Sequence, residues 1–111
     1  MSGSLHEDDV ERERHTDRLS SDLIGGSSPI GTTSGFSLGV AEYFLEEFGP
    51  MQVHDDQEAA YIISGEGQMS VNGRIYPLRA GVAVSIPPGA AHATRRTGPA
   101  AVKLVYAHGA V

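Results

Sequence analysis

The sequence contains no cysteine, so it can form no disulfide bond, no thiolate metal site and no cysteine nucleophile. Basic residues are also few: eight lysines and arginines stand against 14 aspartates and glutamates, which gives a formal net charge of −6. Non-specific nucleic-acid binding needs a basic surface and is therefore not expected. No apolar run approaches the roughly 20 residues that a membrane-spanning helix needs. These absences favour a small soluble protein of the cytoplasm, without nucleic-acid or membrane partners.

The chain of 111 residues has the length of one domain, and its polar residues are unevenly distributed. Residues 1–22 carry seven acidic side chains and three arginines but few large apolar ones. Such a segment buries too little apolar area to offset the entropy lost on ordering. We therefore divide the chain into a flexible, acidic N-terminal arm, 1–22, and a folded domain, 23–111. The two histidines of the arm, His6 and His15, are expected to be solvated.

Short β-prone segments, separated by turn residues, follow one another through the rest of the chain. Strands are predicted at 23–24, 35–44, 59–64, 68–71, 74–78, 82–86, 91–96 and 101–107. Between two of them lies Asn72-Gly73, the strongest two-residue signal for a β-hairpin. Many short strands with no long helix predict an all-β protein, either an antiparallel sandwich or a small barrel.

Outside the arm, a chemical site has to be built from three histidines and their acidic neighbours. His54 lies two residues after Gln52, so both side chains point to one face of an extended segment. Glu58 opens the following strand, and His92 enters a later one. Two imidazoles and a carboxylate from different strands would suit a divalent first-row transition metal. Purely structural or exposed histidines are the alternative, and His108, close to the C-terminus, is expected to be exposed.

Two segments of the sequence resemble the motifs of the cupin family. Residues 49–67 are similar to the first motif, H-x-H-x3-E-x6-G, whose last three named positions fall on His54, Glu58 and Gly65. Residues 81–96 are similar to the second motif, G-x5-P-x-G-x2-H-x3-N, in which four positions match: Gly81, Pro87, Gly89 and His92. The resemblance covers about 35–111. It implies a cupin-type double-stranded β-helix, a jelly-roll barrel, that carries a polar N-terminal arm.

The cupin resemblance also implies one divalent transition metal per chain: Fe, Mn, Ni, Co or Zn. Its ligands would be His54, Glu58 and His92, together with Gln52 in the place of the motif's first histidine. A glutamine oxygen is a weaker ligand than an imidazole, so the site would hold its metal less tightly. Arg96 replaces the final asparagine of the second motif. On a regular strand it shares a face with His92, where it would bind a carboxylate or phosphate of the substrate.

Two classes of function remain open for such a barrel. In the first, the protein is a metal-dependent enzyme, of isomerase/epimerase or dioxygenase type, that acts on a small oxygenated or anionic substrate. Its candidate catalytic residues are Glu58, Tyr61 and Arg96. In the second, the barrel is a non-catalytic module that binds or senses a small molecule or a metal. We favour the enzyme, because an inward-facing Glu58 is costly to bury in a barrel that binds only an apolar ligand.

The same resemblance implies a homodimer. A barrel of this size often supplements its small core by pairing with a second chain. The segment Leu23–Val40 contains no charged residue and is a candidate to lie against a partner's sheet.

Overall fold

A computed structural model describes residues 2–111 of the protein, and most of its regular structure is β-strand. Within these residues the strands are β1 (Glu13–Arg14), β2 (Arg18–Ile24), β3 (Ser37–Tyr43), β4 (Gln57–Ser64), β5 (Gly67–Val71), β6 (Arg74–Leu78), β7 (Ala83–Ile86), β8 (His92–Arg96) and β9 (Val102–Gly109). A 3-10 helix, Glu7–Asp9, is the only helical element in the same part of the chain. The predicted all-β class is therefore confirmed.

The strands form two antiparallel sheets. The larger sheet has the strand order β1-β2-β3-β9-β4-β7, and the smaller one has the order β6-β5-β8. Buried side chains from both sheets, such as Ile62 and Leu104 from the larger and Met69 from the smaller, pack into a single core. This is the two-layered arrangement of the predicted jelly-roll barrel. No helix within residues 2–111 is long and apolar enough to cross a membrane.

The hairpin between β5 and β6 shows how the local sequence sets the strand register. Asn72 and Gly73 have φ angles of 49° and 82°, both positive, as a two-residue type I′ turn requires. Val71 therefore pairs with Arg74, and the ladder continues from there along both strands. The predicted hairpin is confirmed.

Strand β9 lies in the middle of the larger sheet, between β3 and β4. Val102 and Leu104 are buried in the core, and Tyr106 and His108 continue along the same face with a period of two. Across the ladder, His108 stands directly opposite Glu58 on β4. The inner face of the sheet thus changes from an apolar core to a polar end over a few residues of one strand.

The predicted boundary between residues 22 and 23 falls inside β2, which begins at Arg18 and pairs with β3. Residues 18–22 therefore lie within the larger sheet. Glu7, which lies farther toward the N-terminus, accepts a hydrogen bond of 2.6 Å from Lys103 Nζ on β9. Ion pairing and strand pairing, rather than apolar burial, attach the acidic segment to the sheet. The expected flexibility of this segment stays a prediction.

Two isoleucines test the assignment of the core. Ile62 on β4 is fully buried, whereas Ile75 on β6 is 47% exposed. Ile62→Ala is expected to lower the free energy of unfolding by about 2–5 kcal/mol, because it removes packed methylene groups and leaves a cavity. Ile75→Ala is expected to change it by only about 0.5 kcal/mol. Chemical denaturation measures both, and equal losses in the two variants would contradict the assignment.

Candidate metal centre

Glu58, at the beginning of β4, is surrounded by three histidine side chains. Its Oε1 atom lies 2.9 Å from His54 Nε2, 3.4 Å from His108 Nε2 and 3.6 Å from His92 Nε2. His54, Glu58 and His108 each offer one ligand atom, and these three atoms lie within 4.8 Å of one another. The structure therefore brings together imidazole nitrogens and a carboxylate, donor types that suit a divalent transition metal.

The other ring nitrogen of each histidine faces a hydrogen-bond acceptor outside this centre. Nδ1 of His92 lies 3.0 Å from the carbonyl oxygen of Ala90, and Nδ1 of His108 lies 3.0 Å from Asp56 Oδ2. Nδ1 of His54 lies 2.5 Å from Asp56 Oδ1 and 3.3 Å from the Asp56 carbonyl oxygen. Because carbonyl and carboxylate oxygens only accept hydrogen bonds, each Nδ1 is placed to donate one. A neutral ring that is protonated on Nδ1 has its lone pair on Nε2, the atom that faces the centre and would bind a metal.

Several lone pairs that face a carboxylate oxygen repel one another unless a cation lies among them. Burial acts to lower the pKa of His92, but its hydrogen bonds to Glu58 and to the Ala90 carbonyl outweigh burial and raise the pKa above 6.5. Burial acts to raise the pKa of Glu58, but His92 and the neighbouring histidines outweigh it and lower the pKa below 4.5. A divalent cation would satisfy the same atoms, so the donor set fits a metal ion.

A different segment of the chain positions each of these side chains. Glu58 and His108 are direct partners on neighbouring strands, so their side chains lie side by side on one face. His92 begins β8, and its backbone exchanges hydrogen bonds of 2.8 and 3.0 Å with that of Gln52. His54 lies in the loop before β4, where its carbonyl oxygen accepts a hydrogen bond of 2.8 Å from the Gly89 N–H.

His108 is the candidate ligand that the sequence analysis missed, and the expectation that it is exposed is wrong. Its side chain is only 21% exposed and faces Glu58. The signal lies in β9, where Val102, Leu104, Tyr106 and His108 occupy alternate positions. The predicted strand, 101–107, ends one residue before His108. If the strand is extended by that residue, the alternation of its buried side chains places His108 on the inner face.

Gln52, the predicted weak ligand, lies beside the centre. Its backbone pairs with His92, and its side chain lines the adjoining cavity. Within residues 2–111 its buried Nε2 atom has no hydrogen-bond partner. Without Gln52, the ligand atoms of His54, Glu58 and His108 already lie within 4.8 Å of one another, and a ligand role for Gln52 stays a prediction.

Arg96 and Tyr61 do not reach the centre. Arg96 is four residues along β8 from His92, a separation of about 13 Å at the usual rise of a strand. Its guanidinium donates hydrogen bonds of 2.8 Å to the carbonyl oxygens of Phe44 and Gly98. Tyr61 is 53% exposed, because strand alternation turns it to the outer face of β4. The roles predicted for these two side chains therefore have no support from their positions.

A cavity of about 440 Å³ opens beside the centre, and its size is that of a small-molecule site. Arg18 is the only lysine or arginine that lines it within residues 2–111, and Arg18 Nη1 lies 2.8 Å from Asp17 Oδ1. Glu13 and Asp22 line the cavity as well. Negative side chains thus outnumber positive ones around this space.

Two tyrosines, Tyr43 and Tyr106, also line the cavity. The Tyr106 hydroxyl donates a hydrogen bond of 2.7 Å to Asp22 Oδ1, and its ring lies edge-on to His108 with 5.5 Å between centroids. Burial raises the pKa of both tyrosines, and the Asp22 carboxylate raises that of Tyr106 further. Both hydroxyls therefore stay protonated at neutral pH and take part in hydrogen bonds rather than act as bases.

The family model described as "Cupin domain" matches residues 45–108, which is more than half of the chain. The protein belongs to the cupin family. All four residues around the centre, His54, Glu58, His92 and His108, lie inside the matched segment of this cupin. A search of curated proteins found no match.

Solved structures share the fold of this cupin. The polyketide cyclase RemF from Streptomyces resistomycificus is 21% identical with a TM-score of 0.81, over 97% of this chain and 79% of that one. A predicted oxalate decarboxylase from Thermotoga maritima is 15% identical with a TM-score of 0.79, over 98% and 100%. An RmlC-like cupin from Shewanella frigidimarina is 18% identical with a TM-score of 0.78, over 100% and 93%. At such identities the likeness shows the fold alone.

The interaction between His92 and Glu58 predicts how the stability of the metal-free cupin depends on pH. The raised pKa of His92 contributes stability that is fully present below pH 6.5 and is lost as the pH rises through the raised value. The lowered pKa of Glu58 contributes stability that is present above pH 4.5 and is lost as the pH falls through the lowered value. Thermal unfolding in EDTA is therefore expected to show maximal stability between pH 4.5 and 6.5.

The matched variant for this pH profile is His92→Gln. It removes the imidazole and is expected to abolish the loss of stability above pH 6.5. A loss of the same size in the variant and the wild type would show that another group titrates there.

Proposed function

We propose that this cupin is a metal-dependent enzyme that acts on a small oxygenated substrate. The observation that carries the proposal is the convergence of three Nε2 atoms on Glu58 Oε1, with each ring held through its Nδ1. The metal ligands would be His54, Glu58, His92 and His108. This donor set accepts one divalent Fe, Mn, Ni, Co or Zn ion per chain.

When bound, the metal would supply Lewis-acid chemistry at a carbonyl or hydroxyl oxygen, or redox chemistry if it is iron. The other tasks fall to the chain itself. Asp56 orients the rings of His54 and His108, and the Ala90 carbonyl orients the ring of His92. The cavity admits a small molecule to the Nε2 side of these rings. There the protonated Tyr106 offers a hydrogen-bonding group close to His108.

Both isomerase or epimerase chemistry and dioxygenase chemistry suit this centre. A polyketide cyclase and a predicted oxalate decarboxylase share the fold, which supports an enzymatic function without naming the reaction. Oxygen uptake by the iron-loaded protein would assign it to the dioxygenases, whereas activity with zinc or manganese and no uptake would assign it to the isomerases. A module that only binds or senses a ligand would bind metal and ligand without turnover.

We also propose a homodimer formed through the outer face of the larger sheet. On this face Tyr61 and Ile63 project from β4 and are 53% and 44% exposed. Ala83 on β7 and Val105 on β9 are the register partners of Tyr61, so the apolar surface extends across three strands. In a two-fold dimer such a patch meets its own copy.

Light scattering at micromolar concentration is expected to give twice the monomer mass. Tyr61→Arg should reduce this to the monomer mass, because it places a charge in the middle of the apolar patch. Ile75→Arg, at an exposed position of the smaller sheet, serves as the matched control and should remain dimeric. A monomeric wild-type protein would refute the dimer.

Elemental analysis of the untagged protein tests the metal centre. About one transition-metal ion per chain is expected, in line with a single four-donor site. His54→Ala, His92→Ala and His108→Ala should each lose it. A parent protein that holds no metal, even after incubation with each ion and desalting, would refute the proposed function. A His108→Ala variant with unchanged affinity would refute the role of His108 alone.

Asp55 and Asp56 test whether the carboxylate beside the ligand histidines contributes to metal binding. Asp56→Asn is expected to weaken metal binding about 10–100-fold, because it removes the charge of the carboxylate that accepts from His108 Nδ1 and contacts His54 Nδ1. Asp55→Asn changes an exposed side chain next to it and should leave the affinity unchanged. Metal titrations that weaken equally in both variants would point to a general charge effect instead.

A further inference from the structure

A second polar group lies in the same cavity, apart from the four candidate ligands. Tyr106, Gly39 and Asp22 form one row across β9, β3 and β2, because Gly39 pairs with Tyr106 on one side and with Asp22 on the other. The Tyr106 hydroxyl reaches over β3 and donates a hydrogen bond of 2.7 Å to Asp22 Oδ1. Tyr106 and Asp22 both line the cavity.

Gly39 makes this contact possible. A Cβ atom on residue 39 would lie 2.2 Å from Tyr106 Cζ and 2.3 Å from its hydroxyl oxygen. These distances, and a third of 2.6 Å to the backbone carbonyl oxygen of Ser21, are far shorter than a van der Waals contact, so any other residue would displace the ring and strain the adjoining strand β2. Gly39 is thus needed for space, and it leaves a slot in which the ring of Tyr106 lies across the strand.

Asp22 is held on its other side by the turn that follows β2. Its Oδ2 atom accepts hydrogen bonds of 3.0 Å from the Ser27 N–H and 3.2 Å from the Ser27 hydroxyl. The register of β2 shifts between Asp22 and Ile24, and such bulges redirect side chains. The carboxylate is therefore fixed from two directions, by a turn and by the Tyr106 hydroxyl.

The charge around this pair favours one kind of ligand. Glu13 and Asp22 line the cavity, and the guanidinium of Arg18, which is the one guanidinium that residues 2–111 contribute to its lining, is already paired with Asp17 at 2.8 Å. A second anionic group on a substrate would be repelled here, whereas an O–H or N–H donor would be attracted. Because Tyr106 gives its own proton to Asp22, its oxygen presents only lone pairs to a ligand.

We propose that Asp22 and Tyr106 bind the hydrogen-bond-donating end, a hydroxyl or ammonium group, of a small substrate whose oxygen end lies at the His–Glu centre. This inference rests on the proposed function and names its substrate class. The substrate is a small oxygenated compound with a hydroxyl or amino group at its far end, rather than a compound with two anionic ends. Asp22 and Tyr106 select this distal group, and Gly39 acts as a positioning residue for Tyr106.

The test uses the Co²⁺-loaded protein and four acids of the same length: butyrate, 4-hydroxybutyrate, 4-aminobutyrate and succinate. The d–d absorption of Co²⁺ reports binding of the shared carboxylate, and the acids differ only at the far end. 4-Hydroxybutyrate and 4-aminobutyrate are expected to bind about tenfold more tightly than butyrate, as one hydrogen bond to a charged or polarised acceptor allows. Succinate is expected to bind no more tightly than butyrate.

Tyr106→Phe removes the phenolic oxygen, and Asp22→Asn removes the charge of the carboxylate. Each is therefore expected to reduce this preference to about twofold or less. Gly39→Ala keeps both polar side chains but displaces the ring, and the same loss is expected. Gly31→Ala is the matched control, because a Cβ there meets no atom within 4 Å. The Gly31→Ala variant should show the same preference for the hydroxy and amino acids over butyrate as the wild type. If Gly39→Ala does not fold, Tyr106→Phe, which removes one oxygen atom, still decides the question.

The outcomes separate this inference from the function on which it rests. A protein that shows no Co²⁺ absorption before any acid is added overturns the proposed function. A Co²⁺ protein that binds all four acids equally, or binds succinate most tightly, overturns only the assignment of the distal group. The succinate result would transfer that role to the guanidinium of Arg18.

Discussion

The polar end of this barrel is organised by one carboxylate, Glu58, which faces inward from the beginning of β4. An ionised side chain in such a place has to be compensated by nearby positive charge or by hydrogen-bond donors. Three imidazoles provide this compensation, and each is oriented by a further acceptor, either Asp56 or the Ala90 carbonyl. The apolar core fills the rest of the space between the sheets. The division of the interior into a polar end and an apolar end follows from the position of this single charge.

The sequence predicted the elements that depend on local chemistry. The Asn72-Gly73 turn and the alternating strands depend on residues that are neighbours in the sequence. The motif spacing predicted the candidate ligands His54, Glu58 and His92. His108 could not be found in this way, because its proximity to Glu58 depends on how β9 pairs with β4. That pairing joins residues about half the chain apart. Only the period of two in β9 pointed to its inward orientation.

The positions of Arg96 and Tyr61 do not support their predicted roles, for two different reasons. Arg96 was placed on the same face as His92, but side chains that share a face of a strand separate by more than 6 Å with every second residue. Sharing a face is therefore not the same as sharing a site. Tyr61 stands three residues after Glu58, an odd spacing that turns it to the opposite face of the strand. The outward orientation of Tyr61 could have been predicted from the sequence alone.

The acidic segment at the N-terminus shows the limit of an argument from composition. Its apolar content is low, but its last residues belong to β2, which pairs with β3, and this pairing carries Arg18 and Asp22 to the cavity. Residues that composition assigns to an arm therefore line the candidate site. Strand pairing satisfies backbone groups whatever the side chains are, so a polar segment can belong to a sheet.

Asp56 Oδ1 lies 2.5 Å from His54 Nδ1 and Asp56 Oδ2 lies 3.0 Å from His108 Nδ1, so a single carboxylate contacts two imidazoles. The two histidines are then not energetically independent, because removing either one releases a partner that the other also uses. The energies of their separate replacement should not sum to that of the double replacement. His54, Asp56 and His108 form one thermodynamic unit, in which replacing one histidine changes the free-energy contribution of the other.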